Sequence, residues 1–288
     1  MNDTLQRFLF DNTDIRGELT RLDKSYQDAL TSHEYPAVVA RLLGELMAAS
    51  ALLSATLKFE GSLTLQARSE GQIPLIMAEV NSEHQLRAIA RNADQANSDD
   101  FQTLLANGTL SITIDPSDGQ RYQGIVSLDG ANLAACIEGY FQQSEQLSTR
   151  IWLSSDGQQA AGMLLQELPA NSDSSADNDP SLREQNWAHM TTLATTVTAE
   201  EMLSLPFNEL LYRLYNQEQV RLFEPVDLAF HCNCSHQRTL SALRTLGQTE
   251  LEDIIAEQGA IDINCEFCHQ HYHFNNEHIQ ALFHQTLH

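Results

Sequence analysis

Phe230-His231-Cys232-Asn233-Cys234-Ser235 and Ile263-Asn264-Cys265-Glu266-Phe267-Cys268 hold four of the chain's five cysteines, and their reading decides the fold of its C-terminal end. Two close-set thiol pairs in one short module are the sequence form of a four-thiolate zinc site. In an extended segment residues two apart point the same way, so Cys232 and Cys234 can face one metal. Two residues intervene between Cys265 and Cys268, a spacing that suits a tight turn gathering both sulfurs toward one point.

Working outward, Ser235 can cap a helix carrying Leu240, Leu243 and Leu246 and closed by Gly247. Thr249-Glu250-Leu251-Glu252 reads as a capping box for a second helix, with Ile254 and Ile255 inward and Gly259 as its stop. Ile261 and Ile263 alternate with Asp262 and Asn264, a short strand that delivers Cys265. Tyr272 and Phe274 make the return strand, and Asn275 can cap a last helix with Ile279, Leu282 and Phe283 on one face. The expectation is a small α+β zinc-binding module over 232–288, with one Zn²⁺ per chain on Cys232, Cys234, Cys265 and Cys268. A structural zinc contributes about 10–16 kcal/mol in comparable peptides, against about 3–5 kcal/mol from a core this small. Metal loss should therefore unfold the module.

Other readings of the thiols compete. Cys265-Glu-Phe-Cys268-His269 matches the C-x-x-C-H pattern of haem attachment, which normally follows export. The first residues, Met1-Asn-Asp-Thr-Leu-Gln-Arg7, carry no export signal, and haem leaves Cys232 and Cys234 unexplained. A thioredoxin-like dithiol wants its C-x-x-C between strand and helix, whereas Tyr272 and Phe274 suggest a return strand. An iron–sulfur cluster has no supporting spacing. His231, His236, His269, His271, His273, His278, His284 and His288 also crowd this module. One of them could replace a thiolate; the simpler reading is exposed polar positions, since four thiolates already satisfy tetrahedral zinc.

Composition bounds the rest. Sixteen Lys and Arg against 39 Asp and Glu leave a formal net charge of −23. Phosphate contacts supply most nucleic-acid affinity, so this balance argues against a DNA-binding zinc finger and against a nucleic-acid partner. Thiols held for metal, without a disulfide scaffold, point to the cytoplasm. The apolar stretch from Ala37 to Leu57 contains Arg41 and Glu45 and can start at Pro36, so it reads as a buried core helix rather than a membrane span.

The region 1–177 reads as an N-terminal α+β core domain. Leu63, Leu65 and Ala67 alternate with polar residues, and Leu75, Met77 and Val80 open another strand-like run. Strands are expected at Thr109–Asp115 and Tyr122–Leu128 around Asp118-Gly119, a helix from Asn132 to Gln146, and an extended Ile151–Leu153. Cys136 reads as a small buried hydrophobe. The acidic run Asn171–Asp179 marks a boundary. A helical linker follows over 178–231, with Leu203, Phe207, Leu210, Leu211 and Leu214 on one helical face. That face is either packed on the first domain or a conditional interaction surface.

The same residues resemble the redox-regulated 33-kilodalton heat-shock chaperone family. Both cysteine pairs match its zinc signature in context, from Phe230-His-Cys-Asn-Cys-Ser235 through Leu246-Gly247 and Glu250-Leu251 to Ile263-Asn-Cys-Glu-Phe-Cys268. Upstream, Gly44-Glu45-Leu46, Thr56-Leu-Lys-Phe59, Tyr122-Gln-Gly-Ile-Val126, Tyr140-Phe-Gln-Gln-Ser-Glu-Gln146 and Gln166-Glu-Leu-Pro169 continue the match in order. Leu147-Ser148-Thr149 and His269 depart from the usual pattern without removing a ligand. The resemblance implies an ATP-independent holdase, zinc-bound and inactive when reduced. It implies activation by Cys265–Cys268 and Cys232–Cys234 disulfides with zinc release, and binding of unfolding client proteins under oxidative and heat stress. It also implies a homodimer when oxidised and client release to a foldase chaperone system. Outside that resemblance, a disulfide-exchange or zinc-thiol enzyme would show multiple turnovers, and a constitutive zinc-stabilised adaptor would bind regardless of oxidants. The chain shows no phosphate-cradling glycine loop, G-x-S-x-G or H-E-x-x-H to support an enzyme.

Overall fold

A hairpin opens the chain: β1 (Thr4–Phe10) pairs antiparallel with β2 (Ile15–Leu22). The structure, a computed structural model, describes residues 3–11, 13–57, 60–169 and 179–284. The boundary expected between 177 and 178, most of the acidic run, part of the Thr56–Phe59 motif and His288 lie outside the described residues. Two compact units make up the chain, Met1–Phe230 and His231–His288, and both mix helix and strand as the α+β reading expected.

In the first unit α1 (Lys24–Leu30) and α2 (Ala37–Thr56) follow the hairpin. Next come β3 (Gly61–Arg68), β4 (Leu75–Asn81), β5 (Gln85–Arg91), α3 (Phe101–Leu104), β6 (Thr109–Pro116) and β7 (Tyr122–Ser127). Then α4 (Leu133–Tyr140) leads to β8 (Thr149–Ser155) and β9 (Ala160–Glu167). Three helices follow, α5 (Pro180–Ala194), α6 (Ala199–Ser204) and α7 (Phe207–Tyr215). Short strands β10 (Val220–Leu222), β11 (Val226–Asp227) and β12 (Ala229–Phe230) end the unit. One sheet has the order β10-β1-β2-β9-β8, with β11 also on β1; the other runs β12-β5-β4-β3-β6-β7.

Helix α2 packs on β2, β8 and β9 of one sheet and on β4 and β5 of the other. A helix between two sheets must be apolar all round, which explains both its composition and the buried run from Leu42 to Leu53 apart from the half-buried Glu45. Helix α4 is capped by Asn132, which accepts from the Ala135 N–H, and continues as a π turn over Phe141–Glu145. In β4 the buried residues are Ile76, Ala78 and Val80, so Leu75 and Met77 occupy the half-exposed face.

The outer face of the first sheet is covered by α5–α7. Phe8, Phe10, Ile15, Leu19, Ala161, Met163 and Leu165 pack there with Met190, Ala194, Met202, Leu210, Leu211, Leu214 and Tyr215. The single helical face expected from Leu203 to Leu214 is two helices. Pro206 lacks an N–H and disfavours helix at Leu205, so Leu203 sits on α6 and the other four on α7.

The second unit contains α8 (His236–Leu243), α9 (Gln248–Gln258), β13 (Ile261–Asn264), β14 (His271–Phe274) and α10 (Asn276–His284) around Leu240, Leu243, Leu251, Ile261, Phe274, Ile279 and Leu282. Two expectations fail locally. The Thr249 capping box does not form, because α9 starts two residues earlier, at Gln248 after Gly247 (φ +87°), and Glu252 accepts from Gln248 Nε2 instead. Leu246 is 46 % exposed, because a 3₁₀ turn over Arg244–Leu246 shifts the phase that placed it inward.

Candidate metal centre

The β13–β14 hairpin builds half of the site. Cys265 follows β13; its N–H donates to Gln270 O at 2.9 Å, and the His269 N–H donates to Cys265 O at 2.8 Å. His269 takes φ +54°, a left-handed turn that sends the chain back into β14. The other half is the segment ahead of α8. Ser235 Oγ accepts from the Arg238 N–H at 3.2 Å, and Arg238 Nη1 donates to Asn233 O at 2.9 Å, fixing the C-x-C loop to the helix it precedes.

The four sulfurs converge. Cys232 Sγ lies 3.6 Å from Cys265 Sγ, Cys234 Sγ lies 3.4 Å from Cys268 Sγ, and all four fall within 4.8 Å of one another. Tetrahedral zinc with bonds of about 2.3 Å needs sulfurs about 3.8 Å apart. Four half-buried free thiols at that separation can hold one such ion. Among the described residues this is the one group of three or more His, Cys, Asp or Glu ligand atoms that converges so closely.

The thiols are tuned unequally. Burial pushes Cys232 and Cys268 up. Burial also acts on Cys265, but the backbone N–H groups of Cys268 and Phe267, with the neighbouring thiols, outweigh it and bring that thiol down. The Tyr272 hydroxyl donates to Cys234 Sγ at 3.0 Å, and that hydrogen bond holds its phenol up. The sequence marked Tyr272 only as a strand residue. Its reach to sulfur depends on its pairing with Ile263, which periodicity does not encode.

Placement of the other candidates follows. Cys136 is buried in the first unit's core with its thiol pushed up by burial, as expected of a small hydrophobe. His271 Nε2 and His273 Nδ1 approach one Asp262 oxygen at 3.1 and 2.8 Å, and the His236 ring packs on Phe274. Leu210, Leu211 and Leu214 are buried against the first sheet, with Leu203 and Phe207 partly buried beside them. Sequence reasoning missed Arg21, whose buried guanidinium donates to Met202 O and Leu205 O beneath α6 and α7.

Comparison with known proteins places this geometry. The family model described as Hsp33 protein matches residues 3–275. The chain is 54 % identical over 286 residues to the 33 kDa chaperonin of Ectopseudomonas mendocina, covering 98 % of this chain and 96 % of that protein. Against the 33 kDa chaperonin of Pseudomonas aeruginosa strain PAO1 it is 50 % identical over 285 residues, covering 98 % and 95 %. The crystal structure of the 33 kDa chaperonin from Thermotoga maritima superposes with a TM-score of 0.82 at 20 % identity, covering 99 % of each chain, a likeness of fold.

Proposed function

The chain belongs to the Hsp33 family, whose members are chaperones and not enzymes, and from that premise we propose that it is a redox-switched, ATP-independent holdase. One observation carries the reading: four free thiols converge in a unit whose described core has seven buried apolar residues. Cys232, Cys234, Cys265 and Cys268 would hold the metal. Bound there, zinc would keep four thiolates deprotonated and cross-link the C-x-C loop to the hairpin turn.

Hypochlorous acid, or peroxide with mild heat, takes two electrons from each pair and joins Cys232 to Cys234 and Cys265 to Cys268. The thiolates are then no longer ligands, and the unit's small core does not hold it folded by itself. Its unfolding loosens the linker, 178–231, on the far side of the first domain's boundary. Leu203, Phe207, Leu210, Leu211 and Leu214 lift from the sheet, and Phe8, Phe10, Ile15, Leu19, Met163 and Leu165 become available with them to unfolding clients. The active form is a homodimer in the cytoplasm that passes its clients to a foldase chaperone system after reduction, without nucleic-acid or membrane partners.

Light scattering of a heat-unfolding enzyme tests this, with the full chain either reduced and zinc-loaded or pre-oxidised and its zinc content measured. Suppression by the zinc-free oxidised form alone is expected. Equal suppression by both forms would reduce the thiol site to a structural staple and favour a constitutive zinc-stabilised binder.

A further inference from the structure

Between α7 and Cys232 the chain forms a strap along the edges of both sheets. Strand β10 extends β1 antiparallel in the register Phe8↔Leu222, Leu9↔Arg221 and Phe10↔Val220, and β11 continues with Leu5↔Val226 and Thr4↔Asp227. Strand β12 then adds parallel to β5 through Ala229↔Gln85 and Phe230↔Leu86. The Asp11 N–H donates to Gln219 O, the Phe223 N–H to Arg7 O, the Leu228 N–H to Asp3 O and the Ala229 N–H to His84 O. The strap therefore satisfies the outermost backbone groups of two different sheets, groups that otherwise form open rows ready to pair with any extended chain.

Its hold is built to break. Pairing comes in pieces of three, two and two residues, interrupted at Pro225, which has no N–H to give. Leu228 is buried in the core, and Val220 and Phe230 pack beside the two cores of the first unit. Between them Leu222, Phe223 and Val226 stay 39 %, 40 % and 37 % exposed, so the middle of the strap is held mainly by main-chain pairing. In sequence, only His231 separates its last paired residue, Phe230, from the first thiol of the redox site.

We propose that the edges of β1 and β5 are strand-docking sites for extended, apolar-containing segments of unfolded polypeptide, which the strap occupies until it is released. Recognition is then by main-chain pairing, with the strap as the internal competitor. This partner has the chemistry the strap displays: Val220-Arg-Leu-Phe-Glu-Pro-Val-Asp-Leu-Ala-Phe230 is extended, apolar-rich and tolerant of exposed side chains. The inference rests on the redox reading for what releases the strap, but not for the docking itself.

The test uses the full chain and a fluorescein-labelled peptide of residues 219–230, followed by anisotropy. Oxidised protein is expected to bind it at least tenfold more tightly than reduced protein. Two further peptides keep every side chain. In the antiparallel register the N–H groups of Arg221 and Phe223 face β1, while those of Val220 and Leu222 face away. N-methylation at Arg221 and Phe223 should weaken binding at least tenfold more than N-methylation at Val220 and Leu222. Equal losses from the two would mean side-chain docking and would overturn the proposal, as would equal binding by oxidised and reduced wild type.

Arg221→Pro separates the two ideas, since it removes one N–H of the strap and opens the β1 edge without oxidation. Reduced R221P, its fold checked by circular dichroism, should take the peptide. If it does while oxidised wild type neither takes the peptide nor suppresses aggregation, the redox reading fails and the docking edge stands. No binding to either protein overturns the edge.

Discussion

Arg21 shows how much one residue can decide. It is 4 % exposed, and its guanidinium donates to Met202 O and Leu205 O at 2.6 and 2.5 Å through Nη2, with the Phe207 ring 5.1 Å away. These carbonyls lie at the end of α6, where the helix supplies no partner. Arg21→Met leaves them unpaired under α7 at about 1–3 kcal/mol. The expected result is a lower urea midpoint and partial aggregation suppression by the reduced protein; an unchanged midpoint would show that the pin does not hold the helices. Glu45 sets a pH dependence. Burial pushes its carboxyl from 4.5 up to about 7, with Arg41 pulling the other way. The folded state therefore holds more protons than the unfolded state across that window, and stability falls as pH rises through it. Glu45→Gln should gain about 1–3 kcal/mol at pH 8 and little at pH 5, read from urea midpoints. For Cys136, whose thiol burial pushes up, iodoacetamide on metal-stripped reduced protein should alkylate the other four cysteines first. Mass spectrometry of tryptic peptides checks the order.

Among the elements, α7 is where packing and function meet. Leu210 is buried against the sheet, and Leu210→Ala should cost about 2–5 kcal/mol if the site does not collapse. Because that loss falls on the cover, hydrogen exchange should speed up in α5–α7 more than in β3–β6. Uniform acceleration would mean that the cover is not a separate cooperative unit. Elements differ in how openly the sequence declares them. Helix α2 was legible because Pro36 starts it and apolar residues fill it. The break between α6 and α7 was also written in the sequence, at Pro206, and outweighs the spacing of the leucines around it. Strands β1 and β2 were not legible, because alternation is blurred by polar residues buried as partners. Arg7 Nε donates to the fully buried Glu18 at 2.7 Å, and Arg16 Nη2 donates to Gln166 Oε1 at 2.5 Å. Only the neighbouring strands make those residues affordable inside.

At the scale of the whole molecule the two units should respond differently to metal. Stripping a reduced sample with a chelator should abolish the protected amides of 236–284 and leave those of the first unit in place, as seen by hydrogen exchange. Retention of α8–α10 without metal would show that the seven-residue core suffices. The sequence alone determined which four cysteines gather, the order of helices and strands around them and the central helix, because each follows from local spacing: thiols two and three apart, caps, and runs of one period. Tertiary structure alone decided that Tyr272 reaches Cys234, that Arg21 pins α6, that α5–α7 cover the first sheet and that residues 220–230 close the edges of two sheets. Those contacts join residues far apart in the chain, and the free energy that selects them comes from surfaces and backbone groups that exist only once the sheets have formed.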